Sequence, residues 1–146
     1  MESVHKSYAV ALFELANEAK QLEIYQEEAK AISNILKDNK EFIELLNNQF
    51  VNKDDKKELL DKVFKNKINN MMLNFLKLLV DKQRFNLTIE IFKTFNSLAN
   101  EYRGIEEGIL YVASKLDEDK IKAIEAKIAQ KINKKVELST VLDPSL

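Results

Sequence analysis

Residues that could carry chemistry are few in this sequence, and they are poorly grouped. His5 is the only histidine, so no second imidazole is present to build a metal site or a catalytic triad. The chain has no cysteine, which excludes thiolate ligands, disulfides and a cysteine nucleophile. Gly104 and Gly108, the only glycines, are not followed by the lysine and hydroxyl residues of a phosphate-binding loop. We therefore expect neither a metal nor a cofactor.

Acidic side chains are plentiful, but their positions favour a structural role. Pairs such as Glu27–Glu28 and Asp54–Asp55 lie beside lysines or at expected helix starts, where solvated charge and capping account for them. A hydrolase that uses surface carboxylates would need a cleft that perturbs their pKa values, and it is kept only as a third alternative. The sequence predicts a protein without catalytic residues.

Six lysines between positions 53 and 67 form the most basic stretch of the chain. They are Lys53, Lys56, Lys57, Lys62, Lys65 and Lys67. Acidic residues alternate with them, and no aromatic face is present on which bases could stack. Over the whole chain 23 Lys and Arg nearly balance 24 Asp and Glu, so no large field of one sign attracts nucleic acid. We expect this stretch to be a solvent-exposed helix face and expect no nucleic-acid partner.

Helix should dominate, because the chain has only two glycines and one proline. Apolar residues from Val4 to Leu22 follow helical spacing and span an arc of roughly 200 degrees, twice what one core-facing stripe needs. A segment at about 68–82 has a similarly wide arc. Central burial in a bundle and a groove for a partner helix both explain this width, and the pattern does not choose between them.

The remaining periodic segments complete a bundle of six helices over residues 1–104. Apolar spacing marks helices at 25–36, at 42–46, after the candidate N-cap Asn52, and at 91–102. Gly104 stands where the sixth helix would end in a left-handed residue. Met71 and Met72, with Phe75 and Phe92, are interpreted as core residues.

After Gly104 the pattern changes from helical to mixed. The run 109–116 and the alternating run 136–140 favour strands, and Asp117 is a candidate N-cap for a helix between them. The fold class expected is therefore mainly α, with an incomplete α+β unit of strand, helix and strand at 105–146. Such a unit has a thin core, which more chain or a partner would complete.

Several motifs together resemble a known family. The phrase Tyr8-Ala9-Val10-Ala11-Leu12-Phe13 resembles the Tyr-Ala-x-Ala-Leu-Phe signature of the F-type ATP synthase delta subunits, the family of the oligomycin-sensitivity-conferring protein. Further matches follow in the same order, at Lys57-Glu58-Leu59-Leu60, Asn74-Phe75-Leu76-Lys77-Leu78-Leu79, Glu101-Tyr102, Lys134-Lys135-Val136 and Leu142-Asp143-Pro144-Ser145-Leu146. The resemblance covers the whole chain.

This resemblance implies a non-catalytic stator subunit. Its first and fifth helices would form a groove for the N-terminal helix of an alpha subunit of the catalytic head. The implied groove residues are Tyr8, Ala11, Leu12 and Leu15 on the first helix, and Asn74, Leu78 and Asp81 on the fifth. The C-terminal unit would contact the C-terminal ends of the b subunits, so that the protein ties the head to the peripheral stalk and resists torque during proton-driven ATP synthesis. It would lie at the cytoplasmic face of the cell membrane, held there only by its partners.

The chain departs from the family pattern in two places. Lys82-Gln83-Arg84-Phe85 stands where the family usually has Asn-Gly-Arg-Leu, so this turn must form without its glycine. The family also continues past Asp-Pro-Ser-Leu into a further strand and helix, and we expect the stalk-binding unit of this chain to be incomplete. A helix-binding adaptor with another partner is the alternative function.

Overall fold

The computed structural model describes residues 3–146, and within them it is mainly helical with one small sheet. The elements are α1 (Val4–Glu18), α2 (Leu22–Asp38), α3 (Lys40–Asn47), α4 (Lys53–Phe64), α5 (Asn70–Asp81), a short 3-10 helix (Phe85–Leu87), α6 (Thr88–Arg103), β1 (Ile105–Val112), α7 (Glu118–Ile132) and β2 (Lys135–Leu142). This confirms the fold class predicted from the sequence. Residues 1 and 2, which the sequence assigns to the bundle, lie outside the described residues.

The first helix is shorter than its apolar pattern predicts. It ends at Glu18, because Lys20 adopts a φ of 56° in the left-handed region, which breaks the helical ladder. Leu22, expected on the face of this helix, is instead the first residue of α2. The apolar spacing continues across the break because both helices bury residues in the same bundle.

Three predicted helix ends are confirmed. The side chain of Asn52 accepts a hydrogen bond of 2.7 Å from the backbone N–H of Asp54 at the start of α4. Asp117 accepts one of 2.9 Å from the N–H of Lys120 at the start of α7. Gly104 has a φ of 73°, the left-handed conformation expected after α6.

Most of the wide apolar arc of α5 is buried in the bundle. Its buried residues are Met72, Leu73, Phe75, Leu76, Leu79 and Val80. The Phe75 ring stacks on Phe92 of α6 with centroids 6.4 Å apart, at an interplanar angle of 25°. Met71 departs from the core interpretation, since 45% of it is exposed. Central burial therefore accounts for most of the width of the apolar arc of α5, while Met71 and Leu78 remain exposed.

The sheet consists of two parallel strands joined through α7. Ile105 lies opposite Lys135 and Val112 opposite Leu142. The first strand begins four residues before the predicted position 109 and ends at Val112 rather than at 116. Its first half escaped prediction because Glu106, Glu107 and Gly108 carry no strand signal. No residue of α7 is buried, so the apolar core of this unit is thin, in line with the sequence pattern.

Packing divides the chain into two compact units. The first extends to Asn96 and the second runs from Ser97 to Leu146, so this boundary lies within α6. The sequence pattern instead predicts a boundary at the end of α6, at Gly104.

Candidate functional site

The first and fifth helices are in contact within the N-terminal unit. The ring of Tyr8 on α1 meets the ring of Phe75 on α5 edge to face, with centroids 6.3 Å apart and an interplanar angle of 77°. Phe75 is buried, whereas Tyr8 is only half-buried. The contact therefore brings surface residues of α1 next to α5.

Apolar side chains remain accessible on both helices beside this contact. On α1, Val4 is 43% exposed, Ala11 is exposed, and Leu15 is half-buried. On α5, Leu78 is 40% exposed and Asn74 is also exposed. We call the following residues the α1–α5 surface: Val4, Tyr8, Ala11, Leu15, Met71, Asn74 and Leu78. Their spacing of three and four residues along each helix makes two stripes, which are apolar except at Asn74.

Leu12 takes a different position from the other residues of the implied groove. It is fully buried, so its side chain supports α1 from inside the bundle and presents no surface to a partner. Ala9 and Ala16 are buried with it on the same helix. Helical spacing alone did not separate these residues from their accessible neighbours, because the apolar arc of α1 includes both groups.

Asp81, the last implied groove residue, is half-buried at the end of α5 and is held by two lysines of α4. Lys57 Nζ lies 2.7 Å from Asp81 Oδ1, and Lys53 Nζ donates a 2.9 Å hydrogen bond to the backbone carbonyl of Asp81. The hydrogen bond from Lys57 lowers the pKa of the Asp81 carboxyl below its usual value, and the charges of Lys57 and Lys53 act in the same direction. Asp81 therefore carries a negative charge whose nearest partner comes from its own bundle.

Arg84 positions Tyr8 in a way that sequence reasoning missed. Its Nη1 donates a 3.3 Å hydrogen bond to the Tyr8 hydroxyl, and its Cζ lies 5.6 Å from the centre of the Tyr8 ring. Arg84 reaches this position from the turn after α5, where Gln83 has a φ of 58°. The only sequence signal for Arg84 was its position within the motif at 82–85, and this motif does not indicate a contact with Tyr8.

The α1–α5 surface has the chemistry of a binding surface. Its apolar side chains and the exposed amide of Asn74, with the Asp81 carboxylate beyond Leu78 at the end of α5, suit the apolar face of an amphipathic helix that has polar groups at its margin. Among residues 3–146, no group of three His, Asp or Glu side chains is placed to hold a metal ion. In that same part of the chain, every helix is too short or too polar to cross a membrane.

The fold has a close counterpart among solved structures. It matches a chain in the cryo-EM structure of the Toxoplasma gondii mitochondrial ATP synthase hexamer with a TM-score of 0.78 and 21% identity. The match covers 99% of this chain and 81% of the other. At this identity the likeness shows that the two chains share a fold.

Sequence relationships identify the family. The family model of the ATP synthase delta (OSCP) subunit matches residues 4–146. The chain is 34% identical over 142 residues to the ATP synthase subunit delta of Mycoplasma mobile, covering 97% of this chain and 79% of that protein. It is also 34% identical over 145 residues to that of Halalkalibacterium halodurans, covering 99% and 79%. The chain belongs to the ATP synthase delta (OSCP) subunit family.

Proposed function

We propose that this chain is a non-catalytic stator subunit of an ATP synthase, which links the catalytic head to the peripheral stalk and resists the torque of rotation. Family membership over residues 4–146 supports the assignment to the complex. The observation that carries the mechanical role is the α1–α5 surface, because it leaves an apolar stripe on each of two adjacent helices accessible to a partner.

The partner proposed for this surface is the N-terminal helix of an alpha subunit. An amphipathic helix buries its apolar face when it lies along two apolar stripes, and main-chain groups inside the helix need no further hydrogen bonds. Tyr8 and Leu15 already have part of their surface buried, so little side-chain freedom is lost when a partner covers the remainder. Tyr8 is also fixed by Arg84 and Phe75. Tyr8 is thus held in place before a partner binds.

Residues 1–104 would serve as the head-binding bundle and residues 105–146 as the unit that contacts the C-terminal ends of the b subunits. Large apolar side chains of the two strands support a contact role for the second unit, since Ile109 is 58% exposed and Tyr111 and Leu142 are each 59% exposed. Through these partners the protein would be held peripherally at the cytoplasmic face of the cell membrane.

Calorimetric titration with a peptide of the alpha subunit's N-terminal helix tests the proposal. We expect one-to-one binding, which Ala11→Arg should weaken by about tenfold or more, because a long cation would stand within the apolar contact. Ala31→Arg is the matched control, since Ala31 is an exposed alanine inside α2, a helix that contributes no residue to the α1–α5 surface. Its affinity should equal that of the unmodified chain.

Two results would contradict this assignment. Absence of binding by a folded sample would remove the alpha helix as partner and leave a helix-binding adaptor with another target. Equal weakening by Ala11→Arg and Ala31→Arg would show that added charge, rather than the α1–α5 surface, governs the interaction.

A further inference from the structure

Phe50 is the most exposed of the large apolar side chains in the part of the chain that the structure describes, with 88% of it accessible to solvent. It lies in the short turn between α3 and α4. Hydrogen bonds fix this turn, since Asn48 Oδ1 accepts one of 2.9 Å from the N–H of Phe50 and the Asn48 carbonyl accepts one of 3.2 Å from the N–H of Val51. A ring held outward on a fixed turn loses little freedom when a partner covers it.

A cavity of about 330 Å³ lies beside this turn. Its apolar wall consists of Leu45 from α3, Val51 from the turn and Leu59 from α4. Phe50 is next to Val51 in the chain but is not part of this wall. A cavity of about 150 Å³ is enough to hold a benzene ring, so this one has room for a phenyl group. The same surface therefore carries an aromatic ring without cover and a cavity that can receive one.

Charged residues along one face of α4 have opposite signs on the two sides of this cavity. Asp55 lies four residues before Leu59 and Lys62 lies three residues after it, so the three share a helix face. Asp55 and Lys62 are both exposed and both line the cavity. Glu58, the remaining exposed charged residue of the lining, stands one turn before Lys62 at the margin of this face.

This order of charges makes α4 complementary to a second copy of itself. When two copies of the helix pack antiparallel about a twofold axis beside Leu59, Asp55 of each copy lies opposite Lys62 of the other. Parallel packing would place like charges together, so the pattern selects the antiparallel arrangement. A twofold interface uses the same patch on both copies, and a patch with a projecting ring, a cavity, an acid and a base meets that requirement.

We propose that this chain forms a twofold dimer through the α3–α4 surface, which consists of Leu45, Phe50, Val51, Asp55, Leu59 and Lys62. The Phe50 ring of each copy enters the cavity of the other, and Asp55 of each copy pairs with Lys62 of the other. The interface is small, so the dimer is weak and forms at high protein concentration. None of these six residues belongs to the α1–α5 surface, so the dimer does not depend on the partner proposed for that surface.

Sedimentation equilibrium of the full chain from about 10 μM to about 1 mM, a range that covers weak complexes, tests the proposal. One chain has a mass of 16.9 kDa, and we expect the weight-average mass to rise toward twice this value. Phe50→Ser should weaken self-association by about tenfold or more, because each dimer loses two buried rings. Tyr111→Ser is the matched control, since it removes a ring that is 59% exposed on β1. This control should associate like the unmodified chain.

Charge reversal tests the antiparallel arrangement. Asp55→Lys and Lys62→Asp each create two pairs of like charges across the twofold axis, so each should weaken the dimer by about threefold or more. The double variant restores both pairs with their signs exchanged and should recover most of the lost affinity. It carries the same net charge as the unmodified chain, so recovery separates the pairing from a general effect of charge.

A dimer that is lost in Phe50→Ser, kept in Tyr111→Ser and restored in the double variant supports the proposal. A monomer at every concentration would overturn it and leave the α3–α4 surface to a different protein. Loss of the dimer in Tyr111→Ser but not in Phe50→Ser would assign self-association to the sheet instead. A double variant that associates no better than the single variants would contradict the pairing of Asp55 with Lys62.

Discussion

The side chain of Glu28 accepts two hydrogen bonds from Asn69, one from its side-chain amide and one of 2.9 Å from its backbone N–H. Asn69 is itself the N-cap of α5, and its side-chain oxygen accepts a 2.9 Å hydrogen bond from the N–H of Met72. A residue of α2 thus fixes the residue that starts α5. The start of one helix of the α1–α5 surface depends on this pair.

Replacing Asn69 with alanine should destabilise the bundle. The variant loses the cap of α5 and leaves the Glu28 carboxylate without the side-chain donor, so we expect the free energy of unfolding to fall by about 1–3 kcal/mol. Urea denaturation measures this change. Asn52→Ala removes the cap of α4 only, and should lower the free energy of unfolding by about 1 kcal/mol. A smaller effect at Asn69 than at Asn52 would contradict the role given to the pair.

Glu28 should also make stability depend on pH. Burial raises the pKa of Glu28 above 4.5, although the two hydrogen bonds from Asn69 act to lower it. Because the folded state then holds the proton more tightly than the unfolded state, the contribution of Glu28 is full below pH 4.5 and is lost as the pH rises through the raised pKa. Glu28→Gln removes this titration and keeps an acceptor for the Asn69 N–H.

The measurement is the difference in free energy of unfolding between Glu28→Gln and the unmodified chain as a function of pH. This difference should change in favour of the variant as the pH rises above 4.5, and should level off once Glu28 is ionised in the folded state. A difference that is independent of pH, or that changes in favour of the unmodified chain, would show that burial does not govern this carboxyl group.

Gln83 stands in a left-handed conformation that glycine adopts without strain. Its φ is 58°, and the motif resemblance implies a glycine at this position. Gln83→Gly should raise the free energy of unfolding by about 0.5–1 kcal/mol. The relieved strain stabilises the folded state, and the greater conformational freedom of glycine in the unfolded chain offsets part of this gain. Lys82 has a φ of −89°, so no strain is present there to relieve, and the control variant Lys82→Gly should lower the free energy of unfolding. Thermal denaturation of both variants measures the two changes. A loss of stability in Gln83→Gly would show that Gln83 is not strained.

Local signals in the sequence predicted much of the fold. The caps Asn52 and Asp117 and the left-handed Gly104 need only the residue type and its neighbours, and all three are confirmed. The family motif indicated a turn at 82–85 without its glycine, but residue type gave no indication that Gln83 would take the left-handed conformation. The start of β1 was missed because Glu106 and Glu107 join the strand through pairing with residues far along the chain.

The candidate site was less predictable, since periodicity reports that a face is apolar and does not report what covers it. The arcs of α1 and α5 have similar widths, yet most of that of α5 is buried while α1 leaves Val4 and Ala11 accessible. The contact of Arg84 with Tyr8 joins residues 76 positions apart. Lys56 was expected on a solvent-exposed helix face, yet only 1% of it is exposed. It lies one turn before Leu60 on the buried face of α4, a position that its residue type concealed.

The pair of Asp81 and Lys57 should weaken in acid. Its hydrogen bond with Lys57 lowers the pKa of Asp81 below 3.8, so the contribution of this group is present above pH 3.8 and is lost as the pH falls through the lowered pKa. Asp81→Asn should therefore make the free energy of unfolding less dependent on pH in that acid range. Lys57→Met should have the same effect, because it removes the other partner. An unchanged pH dependence in both variants would exclude the pair as its source.

The parallel pairing of β1 with β2 has a consequence for the order of folding. Ile105 pairs with Lys135, so the strands meet only after the chain between them, including α7, has closed a long loop. Helices of the N-terminal unit instead begin from hydrogen bonds between residues four apart, which form much faster. During refolding, amide protons of α2 and α5 should become protected from exchange earlier than those of the sheet, and the last backbone groups to leave water should be those of β1 and β2.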